Sequence, residues 1–107
     1  ERGRTFLGGA IGPGPALWAR ALREGTARLP EFEPSPRAPA RGRSSAAALQ
    51  AGLAHGLRGA IEALLDALAR ECALEEAPVV LTGGAAGFAA APEARTLAGH
   101  ALLREPE

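Results

Sequence analysis

The chain has 107 residues with 12 basic and 12 acidic side chains and a formal net charge of +0, which suits one small domain or a piece of a larger one and gives no electrostatic reason to expect nucleic acid or an anionic membrane as partner. Hydrophobic residues make up 47% and aromatics 4%, so a core must be built from Ala, Leu, Val and Ile. The single cysteine, Cys72, excludes an internal disulfide and gives no zinc-ligand spacing, while the absence of a bilayer-spanning apolar run and of a signal peptide predicts a soluble, cytoplasmic protein.

Residues 5–10 read as a short strand with Phe6 and Leu7 as its bulky members. Gly8 and Gly9 weaken a strand interior and suggest that something approaches the backbone there. Gly12, Pro13 and Gly14 make the exit turn, and Pro15 suits the first turn of a helix, where its missing N–H is not needed. That helix is expected over 15–23, with Leu17, Ala21 and Leu22 inward, Trp18 beside them, and Gly25 as its stop.

Residues 29–41 carry Pro30, Pro34, Pro36 and Pro39 and predict an extended surface loop. Ser44 and Ser45 then precede a long alanine- and leucine-rich run, a helix N-cap signal. The spacing predicts a helix over 45–74, with Leu49, Leu53, Leu57, Ile61, Leu64, Leu68 and Cys72 on one face. Gly52, Gly56 and Gly59 form a second line at helical spacing. Each costs an isolated helix about 1 kcal/mol relative to Ala, so the line predicts a close backbone neighbour, within the chain or across a dimer. Arg58, Glu62 and Asp66 argue against a membrane dimer.

Val79, Val80 and Leu81 read as a short buried strand, Thr82, Gly83 and Gly84 as a sharp turn, residues 85–91 as a short helix, and 95–103 as a last strand. The order is α/β.

Two junctions therefore run from strand through a glycine-rich turn into a helix, at 6–18 and 79–88. Such junctions suit phosphates and nucleotides, because glycine admits a ligand to the backbone and a helix start offers free N–H groups. Neither has a Walker lysine or the dinucleotide fingerprint. The acid–base candidates are weak. Glu31, Glu33, Glu62, Asp66, Glu71, Glu75 and Glu76 fall on loops or on a solvated helix face. His55 and His100 read as surface or packing residues, Cys72 as a small buried apolar one, and no nucleophile–base order stands out. From its residues the chain lacks a self-sufficient active site.

The ordered set GGAIGPG (8–14), TARLPEFE (26–33), GRSS (42–45), LQAGLAHGLRGAIEAL (49–64) and VVLTGGAA (79–86) resembles type III pantothenate kinases, from residue 5 to about 103. The resemblance implies the C-terminal half of an actin-like ATPase (ribonuclease H-like) kinase fold with one long helix. It implies ATP-dependent phosphorylation of pantothenate, the first step of coenzyme A synthesis, in a homodimer that uses a monovalent cation, potassium or ammonium. Gly8, Gly9, Pro13 and Gly14 match a family turn beside the substrate pocket. Gly42, Arg43, Ser44 and Ser45 match a Gly-Arg-Asn-Thr segment whose threonine contacts pantothenate, which puts a substrate-binding hydroxyl on Ser45. Thr82, Gly83 and Gly84 match the turn facing the adenosine. The family's Asp-x-Gly-Asn-Thr phosphate motif, its Gly-x-Asp-Arg catalytic aspartate and its cation-holding Asp-x-Gly-Thr have no counterpart in the 107 residues. With a start at Glu1 and no Met, the expectation is a segment whose catalytic half and cation site lie upstream, with no catalytic or metal-ligating residue of its own. Two alternatives stand beside it: a non-catalytic kinase-like accessory or regulatory protein of the same fold, and a dimerisation module.

Overall fold

A serine hydroxyl decides where the longest element begins. In the computed structural model, which describes residues 5–25 and 28–105, Ser44 is extended at φ −143° and its Oγ accepts from the Ala47 N–H at 3.1 Å. This satisfies one of the free donors of a helix start. The cap is thus Ser44, and Ser45 is the first helical residue. Helix α2 runs Ser45–Glu71, shorter at its C-terminal end than its apolar spacing predicts. It stops because Ala73 turns left-handed at φ 58°. The Leu74 N–H then reaches the Ala69 carbonyl at 2.8 Å and the Ala73 N–H the Arg70 carbonyl at 3.4 Å, the paired bonds of a Schellman end.

Helix α1 is Pro15–Gly25, and the Trp18 N–H closes its first turn on the Gly14 carbonyl at 3.0 Å. Its inward face differs from the expected one. Ala19 is buried and Trp18 packs on the core, while Leu17 is 49% exposed and Ala21 faces solvent. The reason lies on α2. A Cβ placed on Gly56 would come within 2.8 Å of the Trp18 Cη2, so the indole occupies the space that a side chain at 56 would need, and α1 rotates to put it there. Gly52 and Gly59 meet nothing within 4 Å. The expected backbone-to-backbone approach is therefore, within this chain, one indole over one glycine.

The core is Ala19, Leu53 and Leu57, with Trp18, Phe32, Ile61 and Phe88 packed against it. Leu53 is fully buried, whereas Leu64, expected on the same inner face, is 42% exposed. The proline-rich loop is irregular, as expected, but it is fastened rather than merely solvated. Gln50 Nε2 donates to the Glu33 carbonyl at 2.8 Å, the His55 ring bonds the Ala38 carbonyl at 2.8 Å, and Arg58 reaches the Pro36 carbonyl at 3.5 Å. Prolines have no N–H to give, so the loop is held through its carbonyls by donors projecting from α2. Its far end rests on the helix start, where a Cβ on Gly42 would lie 2.2 Å from the Ala48 nitrogen.

The sheet has three short strands: β1 Val79–Leu81, β2 Thr96–Leu97 and β3 His100–Arg104. Its order is β1-β3-β2, with β1 parallel and β2 antiparallel to β3. The single strand expected over 95–103 is broken into a hairpin, because Ala98 and Gly99 both take positive φ, 53° and 86°, as a two-residue type I′ turn requires. His100 is buried and bonds the Ala77 carbonyl at 2.9 Å, a packing role. Strand β1 forms where expected but is not buried throughout: Val80 is 55% exposed, since the sheet is covered on one face there. In place of a helix over 85–91 there is one 3₁₀ turn, Ala86–Phe88, cut short as the chain approaches Pro92.

The strand expected over 5–10 does not form. Residues 5–14 have no regular structure, and the two strand ladders leave them out. Gly8 has φ 115°, which breaks the extended run, and a strand without a neighbouring strand has no partner for its backbone groups. Phe6 and Ile11 are accordingly 86% and 103% exposed.

Two stability outcomes follow from this packing. Gly56→Ala lowers stability by about 1–3 kcal/mol through overpacking against Trp18, whereas Gly59→Ala, in open space, raises it by up to about 1 kcal/mol through helix propensity. Thermal melts of the two variants check the contrast, and equal shifts would reject the Trp18–Gly56 contact. Ala73→Gly relieves the left-handed strain at the end of α2. It should raise the urea midpoint, with a gain of about 0.5–1 kcal/mol after the added freedom of the unfolded chain is counted.

Candidate functional site

The α1–α2 packing brings the two glycine-rich turns together. Pro13, Gly14 and Pro15 arch over α2 and, with Ala85 and Phe88, line an apolar hollow of about 370 Å³ closed by Trp18 and Leu57. The same Pro15 and Ala85 also border a larger, open groove of about 840 Å³. Its walls include α1 and, from the proline-rich loop, Phe32, Glu33 and Pro34, and Gly84 also lines it. Sequence reading placed both turns near a ligand; their meeting depends on the helix contact between them.

The expected site residues divide. Gly84 lines the 840 Å³ groove, next to Gly83, which takes φ 103°, and Thr82, which is exposed. Gly8 lies elsewhere, on a hollow of about 210 Å³ with Leu68, Cys72, Val79 and His100. Gly9 is exposed, and a Cβ there would meet nothing within 4 Å. Ser45 is exposed at the start of α2, outside these three hollows. Because Ser44 makes the cap, the Ser45 hydroxyl is left without a hydrogen-bond partner among the described residues. Of the quoted sequence motifs, Thr26 and Ala27 lie outside the described residues.

The sequence reading passed over Arg20, Arg23 and Phe32, which line the large groove. Their signal was the spacing of two arginines three residues apart on a helix, which reads as an ordinary solvated face until an opposing wall is known. The lining of the groove carries two guanidinium groups, one carboxylate, Glu33, and the rings of Phe32 and Phe88. Among the described residues no three His, Cys, Asp or Glu side chains converge as a metal-binding set would, and no helix is long and apolar enough to cross a membrane. The groove combines the exposed Gly84 backbone, apolar side chains and two arginines.

Comparison with known proteins agrees with the motifs. A family model described as type III pantothenate kinase matches residues 1–67. A type III pantothenate kinase of Agathobacter rectalis is 38% identical over 80 residues, which is 75% of this chain and 31% of the relative. One from Thermosynechococcus vestitus is 41% identical over 83 residues, 76% of this chain and 32% of the relative. One from Porphyromonas gingivalis is 42% identical over 89 residues, 79% of this chain and 35% of the relative. The chain thus spans about a third of the length of the curated relatives it matches. With a family model matched over residues 1–67 and relatives 38–42% identical over three quarters or more of its length, the chain belongs to the type III pantothenate kinase family.

Proposed function

We propose that this chain is the C-terminal part of a two-domain, actin-like pantothenate kinase and builds one wall of the cleft in which ATP and pantothenate meet. The observation that carries the reading is the convergence of the glycine turn at Gly12–Pro15 with the turn at Gly84, in a chain whose relatives are named type III pantothenate kinases. In it, Thr82, Gly83 and Gly84 face the nucleotide. Gly8 and Gly9 border the pantothenate side, and the Ser45 hydroxyl hydrogen-bonds pantothenate. The partners are pantothenate, ATP and a second copy of the chain, for which α2 offers the open positions Gly52 and Gly59.

Phosphoryl transfer asks for positioning and charge neutralisation more than for covalent chemistry. This segment supplies positioning. Its turns leave backbone close to the ligand, and its apolar side chains give the ligand a surface to rest on. On this reading the aspartate that activates the pantothenate hydroxyl, and the potassium or ammonium site, belong to a part of the kinase outside this chain, because the family motifs that carry them have no counterpart in the 107 residues. The same fold without turnover, as an accessory protein, is separated from this reading by assaying the complete protein.

On this reading the 107-residue chain alone turns over no pantothenate, and steady ATP-dependent phosphorylation by the purified chain would overturn it. The two serines should separate cleanly in the complete kinase. Ser45→Ala removes one neutral hydrogen bond to substrate, worth about 0.5–1.5 kcal/mol. It therefore weakens pantothenate binding roughly threefold to tenfold, with ATP binding and melting temperature unchanged. Ser44→Ala instead loses the cap and about 1 kcal/mol of stability. Calorimetric titration and thermal melts of the pair check both. A Ser45→Ala enzyme with normal pantothenate binding and impaired ATP binding would put the residue on the wrong side of the cleft.

A further inference from the structure

The proline-rich loop does not simply cross α2; it runs along the helix and comes back. The Glu33 carbonyl is held at the level of Gln50, the Pro36 carbonyl at Arg58, the Ala38 carbonyl at His55, and Gly42 at Ala47 and Ala48. At about 1.5 Å per helical residue, Arg58 stands roughly 12 Å further along α2 than Gln50. The chain reverses in a turn that the Ala38 N–H closes on the Ser35 carbonyl at 3.4 Å. The two limbs are held at 2.8 Å and the tip at 3.5 Å, and the Arg58 Nε is buried without a partner among the described residues. The tip is thus the loosest point, and His55 is the anchor of the return limb. A carbonyl only accepts, so the His55 Nε2 carries the hydrogen. Ala38 is buried, and a carbonyl there has little water to replace a lost donor.

We propose that His55 is a positioning residue for pantothenate: it fixes the return limb, residues 38–43, beside the start of α2, where the Ser45 hydroxyl stands. The role in binding rests on the pantothenate kinase reading, and the fastening does not. Pro39 follows the anchor directly. Its ring fixes its own φ and restricts Ala38 before it, so an anchored Ala38 sets the direction of the limb. Further on, Gly42 lies so close to α2 that a Cβ there would come within 2.2 Å of the Ala48 nitrogen, a fit that requires the limb to arrive in one place. Ser44 then caps the helix, and Ser45 follows it, exposed. A substrate held by the Ser45 hydroxyl binds next to this limb. A limb left loose in the free protein would have to be ordered at the moment of binding, at a cost in affinity.

The test is made in the complete kinase, with steady-state kinetics and with hydrogen-exchange mass spectrometry of the peptides that cover 37–43. His55→Ala should speed exchange across 37–43 and raise the KM for pantothenate about threefold to tenfold, the loss expected of one hydrogen bond's worth of order, with the KM for ATP and kcat changed by less than about twofold. His55→Gln keeps a side-chain N–H donor and should recover both readouts. Pro39→Gly keeps the His55 bond, loosens the limb behind it and should move the pantothenate KM in the same direction, an independent check should His55→Ala fold poorly. Ala69→Gly, near the far end of α2, costs helix stability and should leave both KM values in place, which separates positioning from a general loss of stability. Unchanged exchange in His55→Ala would overturn the fastening and the proposal with it. Faster exchange with an unchanged pantothenate KM, or with equal rises in both KM values, would overturn the proposal and leave the kinase reading standing. A complete protein that phosphorylates no pantothenate would overturn the kinase reading and the positioning role together.

Discussion

The contact between the Trp18 indole and Gly56 is the constraint on which the rest of the arrangement depends. A side chain at 56 would collide with the ring, so the absence of one lets α1 approach α2 at the level of Leu53 and Leu57. The rotation of α1 follows, since bringing Trp18 and Ala19 inward turns Leu17 outward. With α1 set, Pro15 and Ala85 line one groove, and Arg20 and Arg23 fall on it. In a chain with 4% aromatic residues, one large ring does what several Leu–Leu contacts would otherwise share, because its buried area is large and its shape is rigid.

A second level of organisation is polar. The proline-rich loop would be a poor element by itself, since it can neither form a helix nor donate along a ladder. It becomes a wall because α2 presents Gln50, His55 and Arg58 to its carbonyls and because Phe32 inserts into the core. Gly42 then lets the loop end lie directly on the first turn of α2, which places Ser44 to cap it and leaves the Ser45 hydroxyl facing out. Capping thus falls to Ser44 alone, and the Ser45 hydroxyl takes no part in it.

The apolar side chains at the start of the described chain present the opposite case. Phe6, Leu7 and Ile11 are 86%, 53% and 103% exposed, and Gly8 beside them borders the 210 Å³ hollow lined by Leu68, Cys72 and Val79. Large apolar groups gathered on a surface mark a place where further structure or a partner is accommodated. This is in keeping with a chain that matches about a third of its relatives' length.

The sequence alone determined the α/β character, the existence of both helices and of β1, the serine cap to within one residue, the two glycine turns, and the family. These are local properties: periodicity, capping chemistry, turn residues and ordered motifs all act over a few neighbours. Tertiary structure alone decided what those local properties leave open. A helix repeat shows that Leu17 and Trp18 are near the same face but not which of them turns inward, because that depends on where a partner surface has room. The glycine line on α2 announced a close neighbour but could not say that it would be a tryptophan ring at Gly56 and open space at Gly52 and Gly59. The strand expected at 5–10 failed for the same reason in reverse: apolar residues supply the tendency to be extended, but a strand exists only where another strand completes its hydrogen bonds. The groove, with Arg20 and Arg23 facing a loop wall some ten residues further along the chain, is a product of packing, and no spacing in the sequence encodes it.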